Sequence, residues 1–372
     1  MTISDDVFRQ LASAIPGPVC PHLRHLAWES ARGWEPVQQF FSPCLVSVVF
    51  SGDYEVNPIT DLALTSSISL IPTTYLEKLN LDIIPPYPSP IHFALSGVVQ
   101  RLNPCFKRLM TASSLSEAAW EHLASLPNLE SLGVSGTPHA GILESIPRET
   151  AFPALQGIKL KVDEADQRWS VLFSLVESSP LQKVAARSSR RIQGVDAPGQ
   201  VITAMLGAEL QRTITTLIFS GLDPANLTFI LRLRPFSRLR ALDCNTRCRR
   251  SGQCVSPLVD SDIEQLASGS PRLVRLCLGH KCRYSRHHTT IKSFMSLSTH
   301  CRSLKTLRLP CDLTDISEDI KMESGEPDPR LVAQSHCKLR FFALGWVVMP
   351  RSNDDEGLRI ASSAICHLFP LL

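Results

Sequence analysis

Residues 21–28 read PHLRHLAW, and counting from Leu23 they place apolar side chains at positions 1, 4 and 6. The same triplet recurs along the whole chain, once with a polar threonine at the last position. The twelve copies are Leu23/Leu26/Trp28, Leu45/Val48/Phe50, Leu76/Leu79/Leu81, Phe106/Leu109/Thr111, Leu129/Leu132/Val134, Leu155/Ile158/Leu160, Leu181/Val184/Ala186, Ile214/Leu217/Phe219, Leu239/Leu242/Cys244, Leu273/Leu276/Leu278, Leu304/Leu307/Leu309 and Leu339/Phe342/Leu344. Their spacing is 22 to 35 residues, about 29 on average, and such a period indicates a repeat protein.

Each repeat is predicted to contain one strand and one helix. Between the triplets lie segments with helical spacing of apolar residues, such as 116–126, 169–176, 200–210 and 263–267. One strand and one helix cannot bury a core alone, so neighbouring units must stack. The sequence therefore predicts an α/β horseshoe solenoid of about twelve repeats, with parallel strands on the concave face and helices on the convex face. A doubly wound α/β fold is the alternative, and the shared strand pattern disfavours it.

The domain boundaries follow from the repeat. Residues 1–20 are expected to form an N-terminal helix or cap, and residues 21–372 the solenoid, with the last repeat truncated within residues 367–372. Prolines stand two residues before the first apolar position in four copies, at Pro21, Pro127, Pro153 and Pro271. They are expected to end the preceding helix and to bias the residue before them toward extended geometry.

Composition excludes several classes of protein. The chain has 372 residues and is 44% hydrophobic, which excludes a mainly disordered protein. Twelve cysteines are too few for a secreted disulfide scaffold, so free thiols are expected. The first twenty residues lack the charge and the apolar region of a secretory signal, and no run of eighteen apolar residues occurs. These features predict a cytoplasmic or nuclear protein with no membrane partner.

The repeats resemble the leucine-rich repeats of fungal F-box-like proteins, especially the long-period and cysteine-containing types. In the cysteine-containing type a cysteine often stands at the helix exit just before the strand, as do Cys20, Cys44, Cys105, Cys301 and Cys337 here. An F-box is not evident in the twenty or so residues before the first repeat. The resemblance therefore implies a target-recognition module of an F-box-type ubiquitin ligase system. A Skp-type adaptor would be a partner only if an F-box is present elsewhere.

No catalytic motif is found. The sequence contains no phosphate-binding GxxxxGK[ST] loop, no GxGxxG after a strand, no HExxH and no GxSxG. No enzyme activity and no cofactor are predicted.

One cluster of metal-binding residue types occurs in the loops after the ninth and tenth strands. Cys248 and Cys254 lie in the first loop, and His280, Cys282, His287 and His288 in the second. Neighbouring strands bring these loops together, so mixed Cys/His ligation of zinc is sterically feasible. Their spacing matches no familiar zinc module and no CxxC pair exists. Free thiols and solvated histidines are therefore the main prediction, with zinc as the alternative.

Basic residues dominate the strand positions that point away from the core. Strand side chains alternate, so positions 3 and 5 of each unit are expected to face the concave surface. Six of these positions are basic and only Asp243 is acidic. The basic ones are Lys78, Arg108, Lys159, Lys183, Arg275 and Arg308.

The loops that follow three strands add further basic residues along one rim. They are Arg187, Arg190 and Arg191, then Arg247, Arg249 and Arg250, then Lys281, Arg283 and Arg286. The loop after the eleventh strand, residues 312–328, is acidic instead. We hypothesise that the rim and the concave arginines bind an acidic or phosphorylated segment of a protein partner, and that the acidic loop occupies the rim in the free protein. Ordinary solvated charges are the alternative.

The function predicted from sequence is therefore non-enzymatic protein binding. Two alternatives remain open, namely a basic surface that binds nucleic acid or polyphosphate, and a stand-alone repeat scaffold. Aromatic residues make up only 6% of the chain, which disfavours base stacking and hence nucleic acid. An enzyme would require a site that these motifs do not cover.

Overall fold

The computed structural model describes residues 17–29, 34–52, 58–83, 89–134, 140–161, 168–188, 196–222, 224–246, 255–279, 286–312 and 341–348, and a few residues before Gly17. The chain divides into two compact units. Unit 1 comprises residues 1–161 and 167–181, and unit 2 comprises residues 162–166 and 182–372. Each is an α/β unit in which parallel strands alternate with helices, as the repeat pattern predicts.

Unit 1 contains six strands that pair in chain order, each parallel to the next. The strands are β1 (His25–Glu29), β2 (Ser47–Ser51), β3 (Lys78–Asp82), β4 (Arg108–Thr111), β5 (Ser131–Val134) and β6 (Gly157–Lys161). The helices between and after them are the 3-10 helix η1 (Glu35–Phe40), α1 (Pro58–Ser69), α2 (Ile91–Val99), α3 (Glu117–Ser125), α4 (Ala140–Glu144) and α5 (Arg168–Leu175). Parallel pairing requires these crossover connections.

Unit 2 contains a parallel ladder in the order β7-β8-β9-β11-β13-β14 and a separate two-stranded sheet of β10 and β12. The strands are β7 (Lys183–Arg187), β8 (Thr216–Leu222), β9 (Ala241–Thr246), β10 (Val255–Val259), β11 (Arg275–Gly279), β12 (Arg286–His288), β13 (Thr306–Asp312) and β14 (Phe341–Val348). The helices are α6 (Ala197–Gly207), η2 (Leu210–Arg212), η3 (Pro224–Leu233), α7 (Asp260–Gly269) and α8 (Ile291–His300).

The apolar triplets form the core of each unit. Nine leucines from the clearest copies of the pattern all have an exposed fraction of 0%: Leu129, Leu132, Leu155, Leu239, Leu242, Leu273, Leu276, Leu304 and Leu307. The helices contribute large buried side chains such as Trp120, Phe173 and Phe294. The predicted strand cores are therefore confirmed at these positions.

Within each unit, one backbone carbonyl per repeat holds the next repeat in register at nine described steps. The carbonyl oxygen of Glu77, at position 2, accepts hydrogen bonds from the amides of Lys107 (2.9 Å) and Arg108 (3.0 Å). The same pair of bonds recurs at the carbonyls of Arg24, Val46, Lys107, Glu130, Gln182, Thr215, Arg240 and Val274. Because every such step joins equivalent positions, side chains with the same position number stand side by side on neighbouring strands.

The prolines before the strands follow the expectation in part: α3 ends at Ser125 and Leu126, before Pro127, is extended as predicted. Around Pro21, Pro153 and Pro271 the first apolar residue donates its amide to the carbonyl three residues earlier, as Leu155 does to Phe152 (3.2 Å). Each of these prolines therefore occupies the second position of a β-turn, where its fixed φ is favourable. The expectation that the preceding residue is extended is wrong at Phe152, whose φ is 53°.

Three hydrogen bonds explain the left-handed backbone of Phe152. Its amide donates to the carbonyl of Ala124 (2.8 Å), and its carbonyl accepts from Leu155 and from the Ser179 hydroxyl (2.7 Å). These bonds and the burial of its ring over-determine a conformation that local preference opposes.

Polar side chains before the strands also connect neighbouring repeats. The side-chain Nδ2 of Asn103 donates to the backbone carbonyls of Thr73 and Thr74 at 2.7 Å each, and its Oδ1 accepts from the backbone amide of Cys105 at 2.7 Å. Asn128 donates to the carbonyl of Pro104 at 2.9 Å. Such bonds satisfy turn carbonyls that the strands cannot reach.

Among the described cysteines that precede strands, one contacts backbone carbonyls of the preceding repeat in the same way. Cys301 is buried, with its sulfur 3.7 Å from the carbonyls of Ala267 and Ser270. Cys20 and Cys105 are exposed and Cys44 is half-buried. Cys337 lies outside the described residues.

The core assignment predicts a large cost for truncating a position-4 leucine. Leu132→Ala and Leu276→Ala are each expected to lower the free energy of unfolding by about 2–5 kcal/mol, because both side chains are fully buried. The control Ser131→Ala changes the neighbouring outward position and should alter it by less than about 0.5 kcal/mol. Denaturant unfolding monitored by circular dichroism measures all three. Equal effects at the inward and outward positions would contradict the assignment.

The polar connection between repeats gives a second prediction. Asn103→Ala should lower the free energy of unfolding by about 1–3 kcal/mol, since two carbonyls and one amide lose their partner. The matched control is Asn245→Ala, because the exposed Asn245 side chain makes no hydrogen bond to the described part of the chain. Thermal and denaturant unfolding compare the pair. A neutral Asn103→Ala would show that water replaces these bonds without loss.

Candidate functional site

The side of each ladder opposite the core is lined by positions 3, 5 and 7, and we call it the open face. Every described side chain at these positions is exposed or half-buried, and the two buried residues there are Gly133 and Gly279. The prediction that positions 3 and 5 point away from the core is therefore confirmed. Position 7 extends the same face by one residue per strand, which the triplet pattern did not include.

In unit 1 one of the predicted basic residues of the open face, Arg108, has an acidic partner. Lys78 and Arg108 are direct partners across β3 and β4, and Lys159 lies two strands further along on β6. Arg108 forms an ion pair with Glu130 (Nη2 to Oε2, 3.8 Å). A second pair joins Lys107 to Glu77 at 3.1 Å. These glutamates occupy position 2, so the positions chosen from sequence did not reveal them.

In unit 2 the basic residues stand on three strands. Lys183 and Arg187 begin and end β7, Arg275 begins β11, and Arg308 lies on β13. All four are exposed or half-buried. Asp243 on β9 is the acidic residue that the sequence placed among them.

Arg275 is the centre of a polar cluster on this face. Its Nη2 atom is 3.2 Å from Oδ2 of Asp243 on the neighbouring strand. A hydrogen bond to the Cys277 side chain, together with the charges of Cys277 and Asp243, raises the pKa of Arg275 above its ordinary value. Arg308 stands beside Cys277 in the register of β11 and β13. The arrangement keeps the guanidinium charged and oriented.

Cys244 shows the contrast between the two sides of a strand. It follows Asp243 directly but points into the core, where its exposed fraction is 1%. Burial raises the pKa of the Cys244 thiol well above its ordinary value, and Asp243 and Cys277 add to the increase. Cys244 is therefore a neutral core residue, whereas Cys277 is half-buried on the open face.

Most of the basic side chains on the open face are not neutralised. Arg108 and Arg275 have the ion pairs described above. Lys161, at position 7 of β6, also has an interaction partner. The remaining five have no carboxylate of the described part of the chain within 4 Å: Lys78, Lys159, Lys183, Arg187 and Arg308. A charged side chain in this state is fully available to an anionic ligand.

The predicted basic rim is described only at two of its residues. Arg187 was assigned to a loop, but it is the last residue of β7 and is exposed. Arg286 was also assigned to a loop, but its backbone pairs with Val255 in the two-stranded sheet. The triplet pattern missed this sheet because its strands lack the repeated apolar spacing. Arg190, Arg191, Arg247, Arg249, Arg250, Lys281 and Arg283 lie outside the described residues, as does the acidic segment after Asp312.

The candidate zinc ligands also lie outside the described residues, namely Cys248, Cys254, His280 and Cys282. His287 and His288 lie on β12. Among the residues that the structure describes, no group of three potential ligands comes together, and the six described cysteines are free thiols. The described helices all fall short of the length and hydropathy needed to cross a membrane.

A glycine shapes the edge of the open face next to Arg187. Gly221 on β8 has a φ of 78° and lies where the pairing with β9 shifts by one residue. An added Cβ there would collide with the carbonyl oxygen of Ser188, whose amide binds the carbonyl of Ser220 at 2.9 Å. The bulge and the close approach of β7 therefore both require glycine.

This geometry predicts opposite effects for two glycine substitutions. Gly221→Ala should lower the free energy of unfolding by about 1–3 kcal/mol, because it adds both left-handed strain and the collision. Gly97→Ala, inside α2 with open space around the new methyl group, should raise it by about 0.5–1 kcal/mol. Denaturant unfolding of the two variants measures the difference, and equal values would refute the role assigned to Gly221.

The comparisons with known proteins indicate no function for this chain. No protein-family model matches the chain, and no curated protein matches it. Among solved structures 22 chains match. One is the crystal structure of a Bacteroides fragilis protein determined as a structural-genomics target, with 15% sequence identity and a TM-score of 0.39. The match covers 63% of this chain, and the chain spans 66% of that protein.

Proposed function

We propose that this chain is a non-catalytic protein-interaction module that binds its partner on the open face. In this proposal the two units belong to a leucine-rich repeat solenoid of about twelve repeats, with strands on the concave side and helices on the convex side. The observation that carries the proposal is the set of unpaired basic side chains on a sheet face that no described element buries.

The construction of the open face favours binding. Its backbone is held by the repeated carbonyl bonds described above, so a partner meets a preformed surface and little ordering free energy is lost on association. Arginine guanidiniums pair with carboxylates or phosphates through two parallel hydrogen bonds, which gives both affinity and orientation. A protein with an acidic or phosphorylated segment is the partner that this chemistry fits.

A protein partner fits the open face better than nucleic acid does. Proteins that bind single-stranded nucleic acid combine basic grooves with aromatic side chains on which the bases stack. On the ladder strands before β14, the described positions 3, 5 and 7 carry no phenylalanine, tyrosine or tryptophan, and the aromatic residue at an equivalent position is Phe341 at the start of β14. Charge alone would then have to provide the affinity, with the steep salt dependence that this implies.

The resemblance to fungal F-box-like proteins suggests what the binding accomplishes. The bound protein would be a substrate presented to an F-box-type ubiquitin ligase, with the adaptor-binding portion supplied elsewhere. The ubiquitin-ligase role can be tested separately from binding. Loss of the chain should lengthen the half-life of the bound partner, and an unchanged half-life would favour a stand-alone repeat scaffold.

Site-specific photo-crosslinking tests the binding face. A photoreactive amino acid replaces Ser47 or Thr216 on the open face, or Glu121 or Glu264 on the exposed sides of α3 and α7 as matched controls. In an extract of the cells that produce the protein, the open-face positions should crosslink one partner protein, identified by mass spectrometry, and excess unmodified chain should compete with it. Equal yields from the helix positions, or crosslinks to RNA alone, would refute the proposal.

A further inference from the structure

Two basic walls and a floor of small side chains form a shallow trough on the open face of unit 2. One wall is Lys183 and Arg187 on β7, and the other is Arg275 on β11 with Arg308 on β13. The register places β8 and β9 between the walls. Between the walls lies the floor, to which β8 contributes Thr216, Ile218 and Ser220, and β9 contributes Ala241 and Asp243, all half-buried, with the exposed Asn245 at the far end. Ala185 on β7 lies beside Ile218.

The width of the trough follows from strand spacing. Lys183, Thr216, Ala241 and Arg275 are successive partners at position 3, so β7 and β11 are three strand steps apart. Neighbouring strands are about 4.8 Å apart, which makes the distance between the walls about 14 Å. Ile218, at position 5 of β8, lies between them and is the large apolar side chain of the floor.

The trough carries a net positive charge. Its walls hold four basic side chains, and Asp243 at the foot of the second wall is the acidic residue beside them. Lys183, Arg187 and Arg308 have no ion pair with the described residues. Arg275 binds Asp243 through Nη2, and a guanidinium has five N–H donors, so further donors remain for a ligand.

We propose that this trough binds an extended segment of the partner protein, crossing the strands, with anionic side chains at positions i and i+4 and an apolar side chain at i+2. In an extended chain these three side chains point to the same side, and four residues span about 13 Å. The two anionic groups then reach opposite walls while the apolar side chain lies on Ile218. The inference rests on the proposed function and specifies the partner's recognition segment.

The floor selects an extended segment over a helix. An amphipathic helix buries an apolar stripe at least about 100° wide and needs a groove of matching apolar area. The floor offers Ile218 among two alanines, a serine, a threonine, Asp243 and Asn245. An extended segment needs only one apolar contact there, and its charges supply the remaining affinity.

Peptide binding to the full chain tests the inference. The probe is a fluorescein-labelled peptide containing Glu-Ser-Leu-Ser-Glu between Gly-Ser flanks, and a second version carries phosphoserine in place of each glutamate. The control peptide has the same composition with the acids at i and i+3, which places them on opposite sides. Fluorescence anisotropy should show binding of the first two peptides, at least about fivefold tighter than the control, and weakening from 0.05 to 0.5 M salt.

Variants of the walls locate the binding. Lys183→Ala combined with Arg187→Ala should weaken peptide binding at least about fivefold, because one wall loses both charges. Asp243→Asn should strengthen it about two- to fivefold, since the carboxylate no longer competes for Arg275. The matched controls lie away from the open face: Glu209→Gln removes the ion-pair partner of Arg212, and Arg238→Ala removes an exposed charge. Neither should change the affinity.

The outcomes separate this inference from the proposed function. Three results would each overturn the proposal that the trough binds this segment. They are absence of peptide binding up to 1 mM, equal binding of the control peptide, and unchanged affinity in both trough variants with an unaltered thermal unfolding transition. Crosslinks from Ser47 and Thr216 to a partner would still support the open face in that case. Tight binding of single-stranded RNA that excludes the peptide would overturn both.

Discussion

A strand of about five residues and one helix cannot bury their apolar sides without a neighbour, and this constraint governs the whole structure. The carbonyl at position 2 brings the neighbouring repeat into place by accepting hydrogen bonds from two of its backbone amides, as Glu77 does from Lys107 and Arg108. With that bond pair in place, position 4 of one repeat packs beside position 4 of the next, and the described apolar side chains at this position are all buried. Register and core are thus two results of one repeated contact.

The same register converts the linear sequence into rows of side chains on the open face. Ion pairs among positions 2, 3 and 5 join residues from different repeats: Glu77 with Lys107, Arg108 with Glu130, and Asp243 with Arg275. Where the described neighbouring strand offers no acid, the basic side chain has no ion pair among the described residues, as at Lys183 and Arg308. The pattern of available charge therefore depends on which residues become neighbours.

The exceptions to the repeat have local physical causes. Phe152 adopts a left-handed backbone because a turn bond from Leu155 and two hydrogen bonds to other segments, at Ala124 and Ser179, hold it there. Gly221 permits a shift in the pairing of β8 with β9 that a side chain would prevent. The sheet of β10 and β12 adds strands without the apolar triplet. Each departs from the rule followed by its neighbours, and each lies outside a strand core position.

Much of the fold follows from the sequence, because alternating apolar positions and a regular period are local properties. The strand cores around Leu132, Leu242 and Leu276, the outward direction of Lys78 and Arg275, and the parallel α/β arrangement all follow from periods of two and about 29 residues. The acid at position 2 that pairs with Arg108 and the strand position of Arg187 do not follow from it. The small-residue floor between two basic walls is likewise a tertiary feature, since Ala185, Thr216 and Ala241 become neighbours only when strands about 30 residues apart in sequence pair in register. The order of apolar and polar residues along the chain determines which side chains are buried, whereas strand pairing determines which residues lie beside an exposed side chain.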